Sequence, residues 1–152
     1  MTMIMPMIAD DIEATVAALK EYAAEMGYPF NPVHVLRLLS ARLDDVNWFF
    51  MVAKDEDGRI VASSVMVIVP SLYDPTRMEG REVVWHSDPR ICAAIRVKLM
   101  LRLLDLMVET CRQRGVVLHM SVPAGNPGRT VARMLETRGL KKTELFYVKE
   151  IV

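Results

Sequence analysis

Two side chains that can move protons lie close together in the middle of the chain. Glu82 and His86 both fall in the β-rich run from Arg81 to His86, which predicts a strand. Because side chains alternate along a strand, the spacing of four places both on one face. Carboxylates and imidazoles are common general bases. The ordinary alternatives are a solvated glutamate near a strand start and a hydrogen-bonded histidine in the core or at its rim.

Other kinds of reactive site find no support in the residue spacing. His34 and His119 have no partner at metal-ligand spacing, so no metal is predicted. The chain has no nucleophilic serine or cysteine context, no Walker loop and no dinucleotide fingerprint. Cys92 and Cys111 lie near opposite ends of one predicted helix, about 28 Å apart and beyond the reach of a disulfide. They are predicted to be buried thiols in a reducing compartment.

Composition predicts an ordinary globular protein. With 152 residues, 52% of them hydrophobic, the chain is expected to form a single domain over 1–152 around one core. Nineteen basic and nineteen acidic residues leave no net field that would attract nucleic acid or an anionic membrane. No apolar stretch is long enough to cross a bilayer, and the first residues lack a basic signal region. We therefore expect a cytoplasmic protein with no nucleic-acid or membrane partner.

The elements that must position Glu82 and His86 follow from hydrophobic periodicity and turn residues. An edge strand near Met3 to Ile8 precedes two helices, the first closed by Gly27 and the second capped by Asn31. An Asp57-Gly58 pair predicts a hairpin between two further strands. The remaining predicted elements are a strand at Arg81–His86, a long apolar helix from about Ile91 to Arg114, a strand at Val116–Val122, a helix closed by Gly139 and a final strand.

The C-terminal segment carries a resemblance to a known family. It runs AGNPGRTVARMLETRGLKKTELFYVKEI and contains Arg129-Thr130, Gly139-Leu140 and Tyr147-Val148-Lys149-Glu150, with Asn126 just after a strand. This pattern, together with the order β-α-α-β-β-β-α-β-α-β over the whole chain, resembles the GNAT N-acetyltransferases. The resemblance implies an α/β (α+β) fold with a mixed central sheet of about six to seven strands and helices on both faces.

The resemblance also implies a binding site for acetyl-CoA. In the family, backbone amides at the start of the helix after the fourth strand hold the pyrophosphate, and an asparagine after the fifth strand contacts the pantetheine arm. The residues that it assigns to the cofactor here are His86, Ser87, Arg90, Ala93, Ala94, Ile95, Arg96, Asn126 and Arg129. The chain departs from the family because no glycine occurs in residues 89–98.

Basic side chains could compensate for the missing glycines. Arg90, Arg96 and Lys98 surround the start of the predicted helix and could pair with phosphate. The alternative is that they are surface cations with no ligand. A helix N-terminus attracts an anion without any glycine, so weakened binding is expected rather than its loss.

The function that the resemblance implies is transfer of an acetyl group from acetyl-CoA to a primary amine on a small molecule or a peptide. A homodimer is an assembly that stays open for such a protein. Glu82 is the predicted base. Leu135 stands where the family has a tyrosine acid, so Tyr147 would have to donate the proton to the thiolate.

Two other functions remain open from the sequence. One is a catalytically impaired GNAT-fold binding or interaction protein, possibly phage-encoded. The other is an oligomer-forming structural module that assembles through the apolar third helix and a Met-rich surface and needs no CoA.

Overall fold

A computed structural model of the protein describes residues 2–122 and 126–142, and only the backbone of Asn126 and Pro127. The chain divides into two compact units, Met1–Met120 and Ser121–Val152, and each is described by itself. The elements of the first unit are β1 (Met3–Pro6), a 3-10 turn (Ala9–Asp11), α1 (Ile12–Met26), α2 (Pro32–Arg42), β2 (Trp48–Lys54), β3 (Ile60–Pro70), β4 (Met78–Ser87), α3 (Ala93–Arg114) and β5 (Val117–His119). The second unit contains α4 (Asn126–Thr137). The single domain over 1–152 stays a prediction.

The first unit is built on one mixed sheet. Its strand order is β1-β2-β3-β4-β5; β1 to β4 pair antiparallel, whereas β5 pairs parallel with β4. The predicted α/β fold with a mixed sheet is thus confirmed. The predicted count of six to seven strands is too high for the described residues, which form five strands. The last strand that the sequence predicts, around Tyr147, lies outside the described residues.

Helices cover both faces of this sheet, as predicted. On one face, α1 and α2 contribute to a buried cluster with the strands, made of Met7, Ile12, Leu39, Phe50, Val52, Ile60 and Val65. On the other face, Met66 of β3 lies against Cys111 of α3, with 3.4 Å between the two sulfur atoms. The Trp85 indole Nε1 donates to the carbonyl of Met100 in α3 at 3.0 Å. Val65 and Met66 are adjacent, so the alternation along β3 separates the two cores.

Turn chemistry sets the helix ends where the sequence predicts them. Asn31 caps α2 by accepting a hydrogen bond from the His34 amide on its side-chain oxygen at 3.0 Å, and Pro32 occupies the first helical position. Gly27 closes α1 with φ of 69°, and Gly115 closes α3 with φ of 65°. Both angles lie in the left-handed region that glycine adopts without a Cβ penalty.

A β-bulge interrupts β4 and corrects one expectation from the sequence. Val65 pairs with Val84, but Met66 pairs with Glu82, so Val83 is an extra residue in β4. Because one inserted residue reverses the alternation, Glu82 and His86 belong to opposite faces by their pairing, not to one face as predicted. The bulge also increases the local twist of β4 at its middle.

Gly80 marks a close approach between β4 and α3. A Cβ at this position would lie 2.5 Å from the Cys111 Sγ and 3.4 Å from the Met66 Sδ. We expect Gly80→Ala to lower the free energy of unfolding by about 2 kcal/mol, because the buried thiol has little room to move. Chemical denaturation measures this loss.

Cys111→Ala in the same background removes the sulfur and should restore part of the stability lost through Gly80→Ala. A Gly80→Ala variant as stable as the parent protein would show that the sulfur moves away at no cost.

Candidate functional site

The sheet opens between β4 and β5. The two strands pair only from Glu79 to Arg81 on β4 and from Val117 to His119 on β5. Beyond this short ladder β4 continues to Ser87. Among the described residues, no strand pairs with residues 82–87 on the side away from β3. The two strands are therefore neighbours over three residue pairs only, and the edge of β4 beyond Arg81 leaves its peptide groups open to a ligand.

The first turn of α3 lies at the end of this open edge. The helix begins at Ala93, and its first hydrogen bond runs from the Arg96 amide to the Cys92 carbonyl at 3.0 Å. The amides of Ala93, Ala94 and Ile95 precede this bond and have no acceptor within the helix. Cys92 makes no side-chain cap, and the first turn contains no acidic residue. With these amides and the helix dipole, the turn favours an anion.

Arg96 connects this turn to the end of β4. Its Nε donates to the Ser87 Oγ at 3.3 Å, and both residues are half-buried. The cationic side chain, which starts from the same helical turn, is thus held toward the end of β4. Lys98, a further cation that the sequence identifies, is exposed on the helix.

Arg90 lies in the turn between β4 and α3 and is held by two carboxylates. Its guanidinium donates to both oxygens of Asp88 at 2.9 to 3.1 Å and to Glu21 of α1 at 3.0 Å. These hydrogen bonds hold the pKa of the Asp88 carboxyl below its usual range. The predicted phosphate-binding role of Arg90 stays a prediction.

His86 is buried on the face that α1 covers. Its Nδ1 lies 3.0 Å from the Ser63 Oγ, and its ring centroid lies 5.1 Å from that of Tyr22. Burial lowers the pKa of His86 to about 4, although the nearby Asp88 carboxylate opposes the change. The imidazole is therefore neutral at physiological pH. Its proposed contact with the cofactor stays a prediction.

Tyr22 is a further candidate site residue, because its ring lies beside that of His86. Helical spacing alone places it on the apolar face of α1, and nothing in the sequence relates it to β4. Burial raises the pKa of its hydroxyl, and the Glu82 carboxylate raises that pKa further. Glu82, which is half-buried at the bulge, therefore acts electrostatically on Tyr22 although its pairing places it on the opposite face from His86.

The second unit contains the remaining candidates. The backbone of Asn126 begins α4, and Arg129 is exposed in the same helix. Leu135, at the position of the family tyrosine, is buried and only 6% exposed. Tyr147 lies outside the described residues. The roles predicted for Asn126, Arg129 and Tyr147 stay predictions.

The described part of the chain contains neither a cluster of metal ligands nor a membrane-spanning helix. Residues 2–122 and 126–142 hold no group of three or more His, Cys, Asp or Glu side chains placed to share a metal ion. Within those same ranges, no helix combines the length and apolar character needed to cross a membrane.

Comparison with solved structures identifies the fold. A predicted acetyltransferase with acetyl-CoA from Clostridium acetobutylicum superposes with a TM-score of 0.75 at 16% identity, covering 99% of this chain and 96% of that chain. Glucosamine-6-phosphate N-acetyltransferase from Arabidopsis thaliana gives 0.76 at 12% identity, over 100% and 99%. A GNAT family acetyltransferase from Staphylococcus aureus gives 0.66 at 14% identity, over 99% and 98%.

These likenesses extend over the whole length of each protein, and they show that the chain has the GNAT fold. No protein-family model and no curated sequence matches the chain. The fold implied by the C-terminal resemblance is therefore confirmed, whereas activity has to be argued from the site itself.

Proposed function

We propose that the protein is an acetyl-CoA-dependent N-acetyltransferase that acts on a primary amine. The observation that carries the proposal is the open edge of β4, which ends at a helix N-terminus without an acidic residue or a side-chain cap. A ligand that combines an extended arm bearing amides with a pyrophosphate matches this arrangement. The peptide groups of residues 82–87 suit the arm, and the first turn of α3 suits the pyrophosphate.

The residues in the α3 turn fit a pyrophosphate although they include no glycine. Ala93 and Ala94 are small and exposed, so a phosphate can approach their backbone amides. Arg96 adds a positive charge beside the same amides and is held by Ser87. Asn126 and Arg129 are further proposed contacts, on the basis of the family resemblance alone.

The proposed reaction is direct transfer between two bound substrates. Glu82 accepts a proton from the ammonium form of the acceptor, and the free amine nitrogen attacks the thioester carbon. The C–N bond forms as the C–S bond breaks, and the thiolate takes a proton, for which Tyr147 is the proposed donor. The nitrogen of the new amide releases its second proton to solvent, from which Tyr147 is reprotonated. Most of the rate increase is expected from placing the amine beside the thioester.

The acceptor is proposed to be a small-molecule or peptide amine. One structural neighbour is, by its name, an N-acetyltransferase of glucosamine 6-phosphate, which is a small amine. This supports the class of acceptor without identifying the compound. A homodimer and a cytoplasmic location are part of the proposal, on sequence grounds.

Titration of the purified protein with acetyl-CoA by calorimetry tests the proposal. We expect binding that weakens about tenfold in Arg96→Ala at low salt, because a charge-assisted contact with phosphate is lost, and less at high salt. Arg102→Ala is the matched control, since this arginine is exposed further along α3.

Binding without acetyl transfer to any amine would favour the catalytically impaired protein instead. No binding at all would overturn the proposal.

A further inference from the structure

The turn between β4 and α3 is held by one buried carboxylate. The Oδ1 of Asp88 accepts hydrogen bonds from the Arg90 amide at 2.8 Å and from the Arg90 Nε at 2.9 Å. Its Oδ2 accepts from the Arg90 Nη2 at 2.9 Å. The Asp88 amide donates to the Val61 carbonyl at 2.8 Å, and the residue is only 7% exposed. Asp88 thus binds both the backbone and the side chain of the residue two positions ahead.

A second contact extends from Arg90 to α1. The same Nη2 donates to the Glu21 Oε2 at 3.0 Å, between side chains that are 61% and 59% exposed. An exposed ion pair of this kind contributes little free energy. The Asp88 contact is different, because its carboxylate is 7% exposed and accepts three nitrogen donors from Arg90.

These bonds oppose a direct contact between Arg90 and phosphate. Turning the guanidinium toward the first turn of α3 would break the fork with Asp88 and deprive a buried carboxylate of its hydrogen-bonded cation, although the charge of Arg59 would still act on it. Losing a buried charged partner is costly, so the existing fork is favoured over a new contact at an exposed turn.

The turn also lacks the feature that would otherwise let its backbone approach an anion, since residues 89–98 contain no glycine. In a turn without glycine, proline and an aspartate that bonds the backbone two residues on can set the path of the chain, and this turn contains both, in Pro89 and Asp88. Asp88 makes such a contact four residues before Cys92, the N-cap residue of α3, and five residues before Ala93, the first residue of the helix.

On the basis of the proposed function, we propose that Asp88 is a positioning residue for CoA. It clamps the β4–α3 turn through the Arg90 amide and guanidinium, so that the amides of Ala93 to Ile95 face the pyrophosphate. Arg90 acts through Asp88 and does not itself contact the phosphate.

A clamp by Asp88 and a direct contact between Arg90 and phosphate predict opposite changes in the affinity for acetyl-CoA when Asp88 is replaced. Asp88→Asn removes a negative charge near the anion site and loosens the hold on Arg90. If Arg90 bound phosphate directly, acetyl-CoA would bind more tightly to this variant. If Asp88 sets the turn, acetyl-CoA binds about tenfold more weakly, because a charge-assisted hydrogen-bonded pair is lost.

The experiment compares Asp88→Asn with Glu21→Gln by calorimetry and steady-state kinetics. Both substitutions change a carboxylate on the same guanidinium into an amide, but only the first removes the buried contact. We expect a higher Kd and KM for acetyl-CoA with kcat within about twofold for Asp88→Asn, and values within about twofold of the parent for Glu21→Gln. Tighter binding, or equal effects of both variants, overturns the clamp.

A second measurement, made without ligand, tests the clamp independently of the proposed function. Backbone amide order parameters for residues 90–95, measured by NMR without ligand, should fall from about 0.85 toward 0.6 in Asp88→Asn but not in Glu21→Gln. If the parent protein binds no CoA, the proposed function fails while this result still decides whether Asp88 rigidifies the turn. Unchanged order parameters overturn the clamp whatever the protein binds. Melting temperatures of both variants identify any global loss of folding.

Discussion

Replacing Glu82 by glutamine is expected to lower the turnover of an amine acceptor by about 10²-fold or more, with little change in affinity for acetyl-CoA. The substitution keeps the shape of the side chain and removes its ability to accept a proton. Glu82 lies at the bulge in the middle of β4, where the strand edge has left its short ladder with β5. Steady-state kinetics with an amine acceptor and calorimetry with acetyl-CoA measure the two quantities.

Glu25→Gln is the matched control for this prediction. Glu25 is an exposed carboxylate on α1, and like Glu82 it raises the pKa of Tyr22. An effect transmitted through the Tyr22 hydroxyl would lower turnover in both variants. Loss of proton abstraction by Glu82 would lower turnover only in Glu82→Gln. Equal turnover in Glu82→Gln and the parent protein at several pH values would remove Glu82 as the base.

The stability of the protein is expected to fall by about 3 kcal/mol as the pH is lowered from 6.5 to 4, because of His86 alone. Burial lowers the pKa of this imidazole from 6.5 to about 4 in the folded protein. Between these values the unfolded chain binds a proton that the folded chain does not, so acid favours unfolding. Well above pH 6.5 the imidazole is neutral in both states and contributes no pH dependence to the stability.

Urea denaturation at a series of pH values measures this dependence. His86→Gln should flatten the profile between pH 6.5 and 4, even if the variant is less stable at neutral pH. His34→Gln is the control, since His34 is exposed on α2, and its profile should follow that of the parent protein. A parent profile that is level over this range would show that His86 takes up its proton in the folded state without cost.

Much of the fold could be predicted from local sequence because its signals are local. Asn31-Pro32 and the glycines at 27 and 115 set helix ends through contacts and dihedral angles within a few residues. The Asp57-Gly58 hairpin and the apolar periodicity of the helices are of the same kind. The order of elements follows from these signals through α4, and the family resemblance then implied the sheet that the structure contains.

The candidate site could be predicted only in outline. The sequence located the start of α3 to within two residues, at Ile91 rather than Ala93, and identified Arg96 as a cation beside it. It could not predict that Arg90 also contacts Glu21, because Glu21 lies on α1, 69 residues away along the chain. It also gave no sign that Tyr22 lies beside His86, since helical periodicity gives no information on what packs across α1.

The sequence by itself determined the elements, their order and the residue types available for chemistry, because each depends on neighbours along the chain. Tertiary structure alone decided which side chains meet and on which face they lie. The bulge at Val83 is the clearest case: it arises from pairing between β3 and β4 and places Glu82 and His86 on opposite faces. Strict alternation predicted one face for both, because a register shift is a property of two strands and not of one.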